Sequence, residues 1–234
     1  MKTKKTEKYK KIPYKDSNSK VIPGVTTVLS ELQSPEGLIK WANDLGIIGK
    51  NAWREKKKAA EIGQDSHFLL QNHLLKKEVF IEGFSEEVLN AYFSGRRFLE
   101  AVPLRAFHVE LRMRCECGLH EPYGGTIDLV YEDFLGRVGI LDWKTAKKLY
   151  ENNLLQLIGY THLWEHGDII DENNEVIDDF GISRRPIENY HLVMLSKEIV
   201  SYKDYYFDRT PDLENYWIDS LRIYNSKKAI GKML

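Results

Sequence analysis

Cysteine is nearly missing: the 234 residues contain two, Cys115 and Cys117. A C-x-C pair on one strand rarely builds a disulfide framework, so a reducing compartment is expected. Long apolar runs are missing as well. No stretch approaches the roughly 18 consecutive apolar residues of a membrane span, and no apolar signal-peptide block follows the lysine-rich start. These absences lead us to expect a soluble, intracellular (cytoplasmic) chain with no membrane partner. Net charge is also scarce, at -1 from 34 basic and 35 acidic residues, which neither demands nor excludes a polyanionic partner. There is no internal repeat, and low-complexity sequence is confined to the basic start.

What the chain does have is 42% hydrophobic and 12% aromatic content, enough for a sizeable packed core. Its charge is clustered. Lys2, Lys4, Lys5, Lys8, Lys10 and Lys11 crowd the start; Arg54, Lys56, Lys57 and Lys58 form a second basic run, and Lys144, Lys147 and Lys148 a third. Residues 168–179 carry six acids. Taken alone, each run reads as a solvated face, and the acidic one as an exposed insertion. Residues 1–20 are expected to be a basic flexible tail with order beginning near Val21, although Ile12 to Tyr14 can dock as a short strand. Residues 21–234 are expected to form a single domain, mainly helical over 21–101, with a sheet core and flanking helices over 102–234.

Local signals divide that domain. Ser34-Pro35-Glu36 is a helix start, predicting a helix over 35–45. Residues 50–75 are rich in Ala, Lys, Glu and Leu and predict one or two helices adjusted near Gly63, and Ser85 caps another over 85–100. The period then changes. In AFHVELRMRC, residues 106–115, apolar residues alternate with His108, Glu110, Arg112 and Arg114, the pattern of a half-buried strand. TIDLVYE and VGILDWKT follow through short connections, so an antiparallel meander is expected. A helix over 153–166, the strands YHLVMLS and IVSYKDYYF, and a last helix from Asp212 to about Lys227 complete the reading.

GILDWKT carries the chemistry. Asp142 and Lys144 share a strand face about 6.6 Å apart, which a cross-strand ion pair explains as readily as catalysis. If the meander pairs in order, Glu110, Asp128 and Asp142 gather on one sheet face. Like charges that close raise one another's pKa, and a divalent cation is the usual remedy. Oxygen ligands favour Mg²⁺ or Mn²⁺, an ion that acidifies bound water and stabilises charge on phosphate oxygens. Lys144 then either orients or deprotonates the attacking water or stays charged and steadies the transition state; the sequence leaves both open. Cys115, Cys117 and His120 suggest zinc, but a fourth ligand is not evident and the spacing is not a zinc-finger pattern.

Asp128, Asp142 and Lys144, as GTID followed after thirteen residues by D-W-K, resemble the core of the PD-(D/E)XK nucleases, specifically the RecB-like branch. Gly63-Gln64-Asp65-Ser66-His67 is similar to that branch's G-x-x-x-H helix, Glu110 to its strand acid, and Gln156 to Tyr160 to its Q-x-x-x-Y helix. These motifs stand in order over residues 63–160, and VTTVLSELQSPEGLIKWANDLG resembles the opening of single-domain phage and mitochondrial exonucleases. The resemblance implies a restriction-endonuclease-like fold of the α/β (α+β) class: a central mixed β-sheet flanked by helices, with a helical N-terminal region. It implies metal ligands His67, Asp128, Asp142 and the Trp143 backbone carbonyl, a catalytic Lys144, an assisting Glu110, and Gln156 and Tyr160 positioning the site or the DNA. Two departures stand out. Gln64 replaces a frequent threonine, and two cysteines cannot supply the four of the iron-sulfur cluster that many relatives carry, so no cluster is expected.

The implied activity is Mg²⁺- or Mn²⁺-dependent hydrolysis of DNA phosphodiester bonds, most simply from free ends or on single strands. An endonuclease or flap nuclease, or a non-catalytic nucleic-acid-binding subunit on the same fold, is the alternative. Phosphates need a basic approach, for which Arg54, Lys56, Lys57, Lys58, Arg96, Arg97, Lys147 and Lys148 are the candidates. Trp41 and Trp53 are either core residues or stacking platforms for unpaired bases.

Overall fold

Tyr14–Lys15 (β1) and Val21–Ile22 (β2) open the computed structural model, which describes residues 12–118, 120–177 and 184–233. They pair antiparallel, with Tyr14 opposite Ile22. Ordered structure therefore starts before the boundary expected at residue 20. The cause is Arg112, whose guanidinium lies 4.2 Å over the Tyr14 ring and donates to the carbonyls of Ile12 and Pro13. Gly124 leaves room for that ring, since a Cβ there would fall 2.5 Å from Tyr14 Cγ. The lysines at 2–11 lie outside the described residues.

Four helices follow: Val25–Leu32 (α1), Glu36–Ile47 (α2), Ala52–Leu74 (α3) and Glu86–Ala101 (α4). The Asn51 side chain accepts from Arg54 N at the start of α3, and Ser85 accepts from Val88 N at the start of α4. α3 runs unbroken through Gly63, as one helix of 23 residues. The remaining elements are β3 (Arg105–Cys115), β4 (Tyr123–Glu132), β5 (Val138–Lys144), α5 (Glu151–His166), β6 (Asp168–Ile169), β7 (Asn189–Leu195), β8 (Tyr202–Asp208) and α6 (Leu213–Gly231). The turn between β4 and β5 has Gly136 at φ 79°, with Asp133 accepting from the backbone N–H of Leu135 and Arg137.

The sheet has six strands in the order β6-β3-β4-β5-β7-β8; β5 and β7 are parallel and the other neighbours antiparallel. This is the expected mixed sheet flanked by helices, with a helical N-terminal region. Helices α1, α5 and α6 cover one face through Val28, Leu163 and Trp217 against Ile127, Ile140 and Leu192. Helices α3 and α4 cover the other through Leu69, Leu70 and Phe98 against Leu129, Leu141 and Val193. β5 and β7 are thus buried on both faces, which explains their near-continuous apolar character.

The acidic stretch departs from expectation in its first part alone, since Asp168, Glu172 and Glu175 are exposed as expected. Asp168–Ile169 pairs with Met113 and Arg114 at the sheet edge, and Ile169 and Ile170 are buried, so this part is a structured edge rather than an exposed insertion. Its two isoleucines supply the burial that a count of acids overlooks. Asp178 and Asp179 lie outside the described residues.

A carboxylate cluster at the fork between two strands

β4 and β5 pair from Glu132↔Val138 to Leu129↔Leu141, and the ladder stops there. The next opposed positions are Asp128 and Asp142. In place of another ladder bond, Asp128 Oδ2 accepts from Trp143 N at 2.9 Å, so a side chain bridges the diverging strands. Alternation also breaks here. Ile127 and Leu129, two residues apart, pack into opposite cores, and across β3 so do Val109 and Leu111. Glu110 falls opposite Asp128 between the pairs Val109↔Leu129 and Leu111↔Ile127. Its φ of 53° is a left-handed conformation costly for a residue with a Cβ.

α3 brings the histidine to the fork. Gly63, one turn before His67, lies against Thr145, where an added Cβ would sit 3.3 Å from Oγ1. His67 Nε2 is 3.1 Å from the Trp143 carbonyl oxygen, and Nδ1 is 3.5 Å from Asp128 Oδ2. His67, Glu110 and Asp128 each offer a ligand atom within 4.8 Å of the others, a group that can hold a metal ion. Octahedral bonds of about 2.1 Å put donor atoms roughly 3–4.2 Å apart, so small side-chain adjustments close the trio on an ion of magnesium's size.

Asp142 stands outside that trio. Its Oδ2 lies 2.5 Å from Lys144 Nζ but lacks a hydrogen bond of good geometry, while Oδ1 accepts from Gln156 Nε2 at 3.0 Å. The contact is an ion pair whose poor alignment leaves that buried oxygen short of a directed donor. Lys144 Nζ donates to Gln156 Oε1 at 2.8 Å, and Gln156 Nε2 also donates to Tyr160 Oη at 2.8 Å. The network fixes the amide orientation, because the ammonium needs an acceptor and the carboxylate a donor. Gln156 and Tyr160, on one face of α5, therefore position Lys144 and Asp142. The Trp143 carbonyl, expected to face a metal, is engaged by His67.

Electrostatics follow from the crowding. Burial pulls the His67 imidazole down, but Asp128, with Glu110 and Asp142, pushes it up to about 9. Burial and repulsion from Asp128 raise the Glu110 carboxyl to about 8. Burial raises Asp142 to about 6 against the pull of Lys144. Asp128 is lowered: burial opposes this, but His67, Lys144 and the Trp143 N–H outweigh it. A raised folded pKa contributes stability below the unfolded value that is lost as pH rises through the folded one. The His67 contribution is thus full below 6.5 and lost by about 9, and that of Glu110 is full below 4.5 and lost by about 8. In chelator, melting scans should show stability falling by roughly 5 kcal/mol from these groups as pH rises from about 6.5 to 9. A divalent ion that replaces those protons should largely remove the fall.

The other expected residues are spread over the surface. Arg54, Lys56, Lys57 and Lys58 lie exposed along the first half of α3, where Lys58 pairs with Glu87 at 2.5 Å. Arg96 pairs with Glu100 at 3.2 Å and Lys147 with Glu198 at 3.1 Å; Arg97 and Lys148 are exposed. Beyond Lys144, an open cleft of about 460 Å³ runs from Thr145 past Lys147, Lys148, Lys197 and Lys203 to Tyr202 and Tyr205. Lys197 and Lys203 escape sequence reasoning because they stand singly around β8 and meet the third basic run only through the pairing of β5, β7 and β8. Trp53 is 74% exposed, which removes it from the core, and Trp41 is 37% exposed. Among the described residues no helix is long and apolar enough to cross a membrane. No family model and no curated protein matches the chain.

Proposed function

We propose that this chain is a Mg²⁺- or Mn²⁺-dependent deoxyribonuclease of the PD-(D/E)XK type, RecB-like in its motifs, which hydrolyses phosphodiester bonds from DNA ends or on single strands. The observation that carries the reading is the fork itself: His67, Glu110 and Asp128 converge where β4 and β5 part, with the Asp142–Lys144–Gln156 network beside them. The fit to a hard cation rests on crowded buried carboxylates and on the buried Asp142 oxygen without an aligned donor. His67, Glu110 and Asp128 would hold the ion, and Asp142 could join them. When bound, such an ion acidifies water and offsets charge developing on phosphate oxygens.

The chain's own groups do the remaining work. Lys144, held beside the site by Asp142 and Gln156, is placed to steady negative charge on the phosphoryl oxygens. Tyr160 and Gln156 limit its movement. The lysines of the cleft draw the phosphate backbone towards it, so binding should weaken with salt. Exposed Trp53 suits stacking on an unpaired base: in a Lys144→Ala background, Trp53→Ala should weaken single-strand binding by about 1–3 kcal/mol with an unchanged melting temperature, read by fluorescence anisotropy.

Linear and circular single-stranded DNA, incubated with Mg²⁺, Mn²⁺ or chelator, test the reading. Metal-dependent loss of the linear substrate with survival of the circle supports an end-dependent enzyme. Cleavage of the circle points to the endonuclease or flap alternative, and binding without hydrolysis in any metal to a non-catalytic subunit.

A further inference from the structure

A second group of ligating side chains lies away from the fork, and the nuclease reading makes no use of it. Cys115 closes β3, Cys117 and His120 stand in the connection to β4, and His162 projects from α5. His120 Nε2 is 3.3 Å from Cys117 Sγ and 3.9 Å from Cys115 Sγ. Cys115, His120 and His162 each present a ligand atom within 4.8 Å of the others, and the His120 and His162 ring centroids are 4.9 Å apart. Tetrahedral zinc, with Zn–S near 2.3 Å and Zn–N near 2.0 Å, requires ligand atoms about 3.5–3.8 Å apart. The two sulfur–nitrogen separations bracket that value.

The imidazoles are also oriented for it. His120 Nδ1 is 2.8 Å from the Glu121 carbonyl oxygen, an acceptor only, so Nδ1 carries the proton and the lone pair of Nε2 faces both thiols. Tyr123 Oη holds His162 Nδ1 at 2.9 Å, the kind of outer contact that sets the ring of a ligating histidine. A plain thiol–imidazole hydrogen bond accounts for Cys117 on Nε2; it does not account for Cys115 and the buried His162 converging on His120 as well, a trio that the exposed Cys117 side chain, 3.3 Å from His120 Nε2, completes by a small adjustment.

We propose that Cys115, Cys117, His120 and His162 form a structural zinc site that ties the β3–β4 connection to α5. Two thiolates and two imidazoles are a borderline-soft set that selects zinc over the hard cations of the fork. Binding transfers the two thiol protons to solvent as the Zn–S bonds form, with no change of oxidation state. His162 follows Tyr160 by two residues, so an ion here would hold the helix that carries Gln156 and Tyr160. The fourth ligand escapes the sequence because it comes 42 residues after His120, on an element that only the fold brings alongside.

The test strips the full-length reduced protein with chelator and titrates it with Co²⁺ and then Zn²⁺, with metal content read by mass spectrometry. The proposal predicts about one zinc per chain and tetrahedral thiolate–cobalt bands that zinc abolishes. Cys117→Ser and His162→Gln should each weaken zinc binding at least about a hundredfold, whereas Asp128→Asn should leave it intact. Cys117 is exposed, so Cys117→Ser reports even if His162→Gln fails to fold. Absence of thiolate–cobalt bands, full zinc affinity in Cys117→Ser, or iron in place of zinc would overturn it. None of these outcomes bears on hydrolysis at the fork.

Discussion

Asp128→Asn should cut metal-dependent DNA hydrolysis on the order of 10³-fold while leaving the fold intact. The amide oxygen still accepts from Trp143 N, so the bridge between the diverging strands survives, while near neutral pH in chelator the melting temperature falls with the loss of the His67–Asp128 pairing. What is lost is a charge placed to hold a cation. Two measurements besides turnover read that loss. Mn²⁺ should raise the melting temperature of the parent and leave that of the variant nearly unmoved. The His67 imidazole, followed by NMR, should titrate far below the parent's value of about 9, because Asp128 is its main raising partner and burial alone pulls it down. An unchanged His67 titration would show that Asp128 is not the counter-charge the geometry indicates.

Trp217→Ala should be the most damaging single truncation for stability, at about 3–5 kcal/mol. The side chain is fully buried on α6 and packs on the Tyr123 ring at a centroid distance of 5.1 Å. It also lies against Gly159 of α5, where an added Cβ would be 3.1 Å from the indole. The indole thus fills the space between α5, α6 and β4, and truncation opens a cavity beneath the helix that carries Gln156 and Tyr160. In a chain of this length the loss corresponds to a fall of about 6–20 °C in melting temperature. Trp217→Phe keeps most of the volume and should cost less than half as much, read by urea titration. A fall of only a degree or two for Trp217→Ala would mean that this core is poorly packed.

Much of this architecture was legible in the sequence because its signals are local. The alternation of residues 106–115 and the cap at Ser85 depend on near neighbours, and the elements they mark form where expected. Gly63 one turn before His67 proved informative for the same reason: a missing side chain on one helical face permits close approach to Thr145. Long-range effects stayed hidden. The Tyr14 hairpin is held by Arg112, about a hundred residues away, and the acidic stretch is partly ordered by two isoleucines docking at a sheet edge. Simple alternation placed Glu110, Asp128 and Asp142 on one face. Backbone irregularity at Glu110 and the parting of β4 from β5 instead group Glu110 with His67 and Asp128, and leave Asp142 to Lys144 and Gln156.

Hydrolysis of end-labelled DNA by the parent and by Lys144→Ala, in Mn²⁺ and in chelator, tests the central claim most directly. The account predicts degradation by the parent in Mn²⁺, none in chelator, and a loss of about 10²–10³-fold in Lys144→Ala with Mn²⁺ binding retained. Equal degradation by parent and variant, or degradation that persists in chelator, would contradict it.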